Sequence, residues 1–195
     1  MMNWETTCIE GDEGRMEFEL ESMAIEMPPV DRHPNRVAFR GVLTFVDVAS
    51  DSAPAGARGH RVMLKRAATE KAIPSLLGMG LDYAPSLDRH DARRKVGVIT
   101  QAEIAEKAPD KSVRATQARD ALAVAGFLYA RDFPELVREI KAKGPKVLGM
   151  SYEIAEAKIE DVGAEIWAVS DFTFTGAAVL RRDKAAYKQT WIELQ

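Results

Sequence analysis

The chain has 195 residues, enough for one domain with a sizeable core and too few for two full domains. Its hydrophobic share of 46% and charged share of 29% are those of a globular protein and exclude a disordered chain. The net charge is −3 and the pI is near 5.7, so no overall attraction draws the chain to nucleic acid or to an anionic membrane. We expect neither partner.

The only cysteine, Cys8, excludes a disulfide within the chain and favours a reducing cytoplasm. Acidic residues follow it closely and disfavour the thiolate, so we discount Cys8 as a nucleophile. No apolar run approaches the roughly 18 residues that a membrane span needs. The first residues also lack the basic start and apolar stretch of a signal peptide, so we expect an intracellular protein.

In the first half of the chain, the spacing of apolar residues predicts mainly strands. Alternation predicts strands at residues 16–20, 37–46, 60–65 and 95–104, and loop composition marks residues 50–59. Thr69 and Gly78 bound a short predicted helix over residues 69–77, although Pro74 lies inside it.

In the second half, residues 121–130 form an apolar run of strand length. A helix is predicted over residues 133–143, capped by Asp132 and ended by Gly144. Strands at 147–159 and 165–174 flank a turn at 161–163, and a terminal helix is predicted over about 177–193. The elements indicate an α+β domain with a mainly antiparallel, barrel-like sheet and peripheral helices. Residues 1–35 are predicted to be a partly mobile arm and residues 36–195 the domain.

Histidines are the first candidates for chemistry because the chain has only three. His33 follows a proline-rich stretch and His60 follows a glycine-rich loop, and we expect both to be exposed and without a catalytic role. His90 differs because acids flank it on both sides, at Asp88 and Asp91. Asp88, His90 and Asp91 could offer metal ligands, but no second histidine follows at metal-binding spacing, so we expect no metal or cofactor.

Ser151 is the candidate nucleophile. It follows Gly149 and Met150 at the start of an apolar strand, and the glycine leaves room for a substrate backbone. A serine hydroxyl needs a base within hydrogen-bond reach, and His90 is the one histidine not already discounted. The Gly-x-Ser pattern alone is weak, since Glu153 stands where a nucleophile elbow has its second glycine.

The order of the motifs resembles the prohead proteases of tailed phages, whose fold is similar to the herpesvirus assemblin protease. The likeness covers roughly residues 36–188. It rests on the glycine-containing strand at residues 39–45, His90 with the strand at 96–99, residues 124–128 with the following helix and Ser151, and residues 168–178.

The resemblance implies a serine endopeptidase in which Ser151 attacks the scissile carbonyl and His90 is the base. The family often has a glutamate two residues before the serine of its last conserved strand, where this chain has Ala168. Asp171 is therefore expected as the third member, with Glu165 as the alternative acid. The resemblance further implies that Arg181 and Arg182, together with the backbone around Gly149 and Met150, bind the oxyanion and the substrate.

The resemblance also implies the partners. The expected substrates are the major capsid protein, the scaffold protein and the protease itself, inside the assembling prohead in the host cytoplasm, and a homodimer is expected. Two alternatives stay open. One is a non-catalytic capsid-assembly or scaffold-associated protein with the same fold, which Ala168 favours; the other is an unrelated sheet-rich binding domain.

Overall fold

The computed structural model describes residues 33–108 and 119–195, and every structural statement below refers to them. The predicted strand at residues 16–20, Cys8 and most of the predicted arm lie outside the described residues. The elements in chain order are β1 (Arg36–Phe45), β2 (Arg61–Leu64), α1 (Arg66–Leu76), β3 (Gly80–Tyr83), β4 (Lys95–Ala108), β5 (Arg119–Tyr129), α2 (Pro134–Lys143), β6 (Leu148–Ile159), β7 (Ile166–Arg181) and β8 (Trp191–Leu194).

The strands form one sheet of eight strands, in the order β2-β7-β3-β4-β5-β1-β8, with β6 paired to β7 outside this path. The long strand β7 organises one side of the sheet. It pairs antiparallel with β6 along most of its length, while β2 and β3 run parallel to its first and last parts. β7 therefore lies between β6 and β3, and this position determines which side chains meet in the candidate site.

The predicted fold class is wrong. The described residues are mostly β, with 49% in strands and 14% in helices, and their two helices do not make an α+β domain. The sheet is a curled half-barrel of mixed pairing rather than a mainly antiparallel barrel. The parallel pairs arise because α1 carries the chain from β2 to β3, so both strands enter the sheet in the direction of β7.

The predicted terminal helix over residues 177–193 is also wrong. β7 continues to Arg181, and β8 follows after a turn. Ala177, Ala178 and Val179 are fully buried and pair with β6 on one side and β3 on the other. A strand buried on both faces reads as a continuous apolar run, which hydrophobic spacing cannot separate from a buried helix segment.

Other predicted elements are confirmed. Strands occupy the predicted stretches at 37–46, 95–104, 121–130 and 147–159, and the helix at 133–143 is α2, which ends at Lys143 with Gly144 as its C-cap. The predicted cap of α2 is wrong, because Phe133 occupies the N-cap position without a side-chain hydrogen bond. Asp132 instead accepts a hydrogen bond of 2.8 Å from the Asn35 side chain and so anchors the start of β1.

The main core lies within the curl of the sheet. Phe39, Leu43 and Phe174 are among its largest fully buried side chains, and α1 and α2 contribute Leu76, Leu136 and Ile140. Tyr152 on β6 points into this core and packs edge-on against Phe174. Because side chains alternate along a strand, Ser151 and Glu153 point to the opposite face of β6.

Candidate functional site

The sheet register brings Ser151 into one row with a buried acid. Ser151 on β6 pairs with Ala178 on β7, and Ala178 pairs in turn with Asp82 on β3. Directly paired residues of neighbouring strands point to the same face of a sheet. Ser151 and Asp82 therefore share the face that lies opposite the main core, and Glu153, two residues after Ser151, shares it as well.

His90 lies over this row. Its Nδ1 atom is 3.2 Å from Glu153 Oε1 and 3.7 Å from Asp82 Oδ2. The loop that carries His90 joins β3 to β4, and the Asp91 amide in it donates a hydrogen bond of 3.0 Å to Asp82 Oδ1. The fold thus gathers one serine, one histidine and two carboxylates on one face, from β6, β3 and the loop between β3 and β4.

A second contact fixes the histidine loop to the end of β7. The Arg181 amide donates a hydrogen bond of 2.8 Å to the Leu87 carbonyl, and the Leu87 side chain is buried in the main core cluster. Leu87 adopts a positive φ of 54°, a conformation that non-glycine residues rarely adopt. The turn is therefore held by tertiary contacts, which fix His90 relative to β6 and β7.

Asp82 is a carboxylate at neutral pH although its side chain has no solvent exposure. Burial on its own would raise the pKa of Asp82, but the contact with His90, the Asp91 amide and the charge of Lys95 lower it below its ordinary value. The Lys95 ammonium is 3.4 Å from Asp82 Oδ2. The site therefore contains a fixed, buried negative charge directly beneath the imidazole.

Gly176 makes room for the second acid. It pairs with Glu153 across β6 and β7, and a Cβ atom at this position would lie only 2.7 Å from Glu153 Oε2. A side chain at Gly176 would force the Glu153 carboxylate to shift from its place beside His90. The absence of a side chain there thus preserves the contact between Glu153 and the histidine ring.

The two ring nitrogens of His90 have different surroundings. Nδ1 is fully buried and faces the carboxylates, yet it forms no hydrogen bond of good geometry within the described part of the chain. The carboxylates lie on the Nδ1 side of the ring, which is the side that the acid occupies in a serine hydrolase, where Nε2 acts as the base.

The predicted third member, Asp171, does not meet His90. It pairs with Lys158 whereas Ser151 pairs with Ala178, so the two positions on β7 are about 23 Å apart at about 3.3 Å per residue. The Asp171 carboxylate instead accepts hydrogen bonds from Lys71 at 2.8 Å and Lys158 at 2.7 Å. The alternative acid, Glu165, precedes β7, lies farther still from Ser151 and pairs with Arg61 at 3.1 Å.

The ion pairs of Asp171 give a prediction for acid stability. Hydrogen bonds from Lys158 and Lys71 lower the pKa of Asp171 to about 2. A lowered native-state pKa stabilises the fold above the pKa of the unfolded chain and loses this effect as the pH falls through the folded value. The stability difference between the wild type and Asp171→Asn, measured by urea unfolding, is therefore expected to shrink from pH 5 to pH 2.5. A difference that grows on acidification would contradict this account.

The predicted oxyanion role of the two arginines is not supported by their contacts. The Arg181 amide is bound to Leu87, and its guanidinium pairs with Asp183 at 3.1 Å. The Arg182 amide donates to the Val147 carbonyl at 2.9 Å, and its Nε donates to the Lys188 carbonyl at 2.6 Å. These contacts tie the end of β7 to the loop that carries His90 and to the residue before β6, and they hold the β7–β8 turn, so both arginines have a structural role here.

Gly149 and Met150, which precede Ser151 on β6, contact Thr190. The Met150 side chain is buried in the main core, and its amide donates a hydrogen bond of 3.2 Å to the Thr190 hydroxyl. A Cβ atom at Gly149 would lie 2.6 Å from that same hydroxyl. The pair therefore positions the start of β6 against the Thr190 segment, and the predicted contact with substrate stays a prediction.

The other two histidines, His60 and His33, make structural contacts elsewhere in the fold. The His60 ring stacks on Trp167 with centroids 4.5 Å apart, and its Nδ1 is 2.9 Å from the Ala164 carbonyl. His33 Nδ1 accepts a hydrogen bond of 3.2 Å from the Asn35 amide at the start of β1.

The sequence analysis did not assign Asp82 or Glu153 to the site. A single acid between apolar residues in the short strand β3 was the available signal for Asp82.

The fold and the site define a mostly-β domain with a serine, histidine and carboxylate cluster on one face of a curled sheet. The chain belongs to the family of the YonD N-terminal domain, whose profile matches residues 86–194. This family is phage-related. No curated protein and no solved structure shows significant similarity to the chain. Within the described ranges, neither helix is long and apolar enough to cross a membrane.

Proposed function

We propose that the protein is a serine endopeptidase that acts during phage head maturation, with Ser151 as nucleophile and His90 as general base. One observation carries the proposal. The face of the sheet that contains Ser151 also contains Asp82 and Glu153, and both carboxylates lie within 4 Å of His90 Nδ1. Membership in a phage-related family supports the biological setting.

The mechanism follows from the two ring nitrogens. Ser151 Oγ attacks the scissile carbonyl carbon while its proton passes to His90 Nε2. The resulting imidazolium is stabilised by the carboxylates beside Nδ1, of which Asp82 is buried and fixed. His90 then gives the proton to the leaving amine, an acyl-enzyme remains, and water activated by the same histidine hydrolyses it.

The proposed substrates are the scaffold protein and the extension of the major capsid protein, cut inside the assembling prohead together with the protease itself. Confinement in a prohead supplies a high local concentration of substrate, so tight binding is unnecessary. A homodimer in the host cytoplasm remains part of the proposal.

The decisive test uses a fluorophosphonate probe, in which the activated serine oxygen displaces fluoride from phosphorus. We expect the wild type to be labelled on Ser151 and expect Ser151→Ala and His90→Ala to be unlabelled. Ser170→Ala is a matched control, because Ser170 is an exposed serine on the neighbouring strand. Co-expression with capsid and scaffold proteins should give cleavage with the wild type and none with Ser151→Ala.

Two results would favour the alternatives over a protease. A folded wild type that is never labelled, and that assembles capsids as well after Ser151→Ala, would indicate a non-catalytic assembly protein. The feature in favour of that class is Ala168 at the position where the resembled family often has a glutamate. If the wild type is not labelled and capsids assemble equally well with or without the protein, a sheet-rich binding domain is the remaining alternative.

A further inference from the structure

The same three side chains that surround the buried imidazole nitrogen also have the spacing of metal ligands. Asp82, His90 and Glu153 each offer one donor atom, and these atoms all lie within 4.8 Å of one another. In a tetrahedral zinc site with bonds of about 2.0 Å, two ligand atoms are about 3.3 Å apart. The distances of 3.2 Å and 3.7 Å from Nδ1 to the two carboxylates are close to that value.

The hydrogen bonding of His90 is a second, independent observation. Nδ1 has no solvent exposure and no hydrogen-bond partner of adequate geometry among the residues that the structure describes, although two carboxylates lie beside it. A buried polar atom without a partner is unfavourable, and an N–H at this position is not aimed well at either oxygen. A single cation between the three donors would satisfy all of them at once.

The charges favour such an ion. Asp82 has no exposed side-chain surface and Glu153 is 35% exposed, so two carboxylates approach each other in a partly desolvated place. Lys95 balances one of them, at 3.4 Å from Asp82 Oδ2, and its side chain is 39% exposed. Because that side chain reaches solvent, it can move away when a cation arrives.

We propose that Asp82, His90 and Glu153 bind a divalent transition-metal cation of the Zn²⁺ class, and that this cation switches off the base. The ligand types agree, since imidazole and carboxylates bind Zn²⁺ and related ions. A cation on Nδ1 takes the lone pair there and leaves the ring proton on Nε2. With its proton on Nε2, a neutral His90 cannot accept the proton of Ser151.

The binding part of this inference stands without catalysis, whereas the inhibitory part rests on the proposed function. The first experiment is therefore a calorimetric titration of the full chain carrying Ser151→Ala with Zn²⁺ alone. We expect one saturable site per chain. Adding His90→Ala or Glu153→Gln should weaken binding at least about 10-fold, whereas His60→Ala, which removes a histidine outside the site, should leave it unchanged.

A Lys95→Gln variant makes the test sharper. If Lys95 competes with the cation for Asp82, this variant should bind Zn²⁺ more tightly than its parent. Absence of saturable binding, or binding that survives both His90→Ala and Glu153→Gln, would overturn the site. Circular dichroism of each variant shows whether a loss of binding comes from unfolding.

The second experiment measures fluorophosphonate labelling of the wild type with Zn²⁺ and after addition of a chelator. We expect labelling to be suppressed by Zn²⁺ and restored by the chelator. If labelling is the same with and without bound Zn²⁺, the inhibition of His90 is refuted, but the metal site itself is not. A chain that binds Zn²⁺ and is never labelled with the ion removed would refute the protease and the switch together, again leaving the site.

Discussion

Replacing Asp82 with asparagine is expected to slow the reaction of Ser151 with a fluorophosphonate by roughly 10²–10⁴-fold, the range in which orienting acids and general bases act in serine hydrolases. The negative charge of Asp82 beside Nδ1 favours the ring proton on that nitrogen and stabilises the imidazolium that forms during attack. An amide carries no charge, and its NH₂ group can turn Nδ1 into an acceptor, which places the ring proton on Nε2. The fold should survive, since asparagine can still accept the hydrogen bond from the Asp91 amide.

The comparison among the acids makes this prediction specific. Glu153→Gln should have a smaller effect than Asp82→Asn, because the Glu153 carboxylate is 35% exposed whereas Asp82 is fully buried. Asp171→Asn is the control and should react at the wild-type rate, since Asp171 lies far along β7 among lysines. A folded Asp82→Asn variant that reacts like the wild type would remove Asp82 from the mechanism. Loss of reactivity in Asp171→Asn would instead support Asp171 as the third catalytic residue, as the resemblance implies.

The sequence identified His90 because the chain has only three histidines, and Ser151 because it follows Gly149 and Met150 at the start of an apolar strand, as in the resembled family. The acids were harder, since their assignment depends on which strands are neighbours. Asp82 and Ser151 lie in one row only because Ala178 on the strand between them pairs with both. Neither local spacing nor alternation reports a pairing between strands that are distant in the chain.

Asp171 was expected as the acid because it lies close to Ala168, where the resembled family often has a glutamate. The predicted strand ended at residue 174. β7 in fact continues to Arg181, which moves the row of Ser151 well beyond Asp171. The apolar, small residues from Ala177 onward are compatible with a buried helix or a buried strand, and only their pairing with β3 and β6 distinguishes the two.

The largest effect on stability is expected from Gly126→Ala on β5. This glycine lies opposite Ile99 on β4, and a Cβ atom there would lie 2.0 Å from the Val98 carbonyl oxygen and 3.1 Å from the Ile99 Cα. These are backbone atoms of a paired strand, so they can yield only by breaking part of the β4–β5 ladder. Overpacking of this kind costs about 3 kcal/mol.

Urea unfolding followed by tryptophan fluorescence measures the effect, and Gly163→Ala is the matched control. At Gly163 the only contact of an added Cβ atom is 3.3 Å from the Asp161 side chain in an exposed turn, so its midpoint should stay near that of the wild type. A Gly126→Ala midpoint equal to that of the control would mean that β4 and β5 are not packed as closely as described. The consequence reaches the site, because β4 begins at Lys95, directly after the loop that carries His90. Loosening this ladder should therefore slow labelling of Ser151 even under conditions where the chain remains folded.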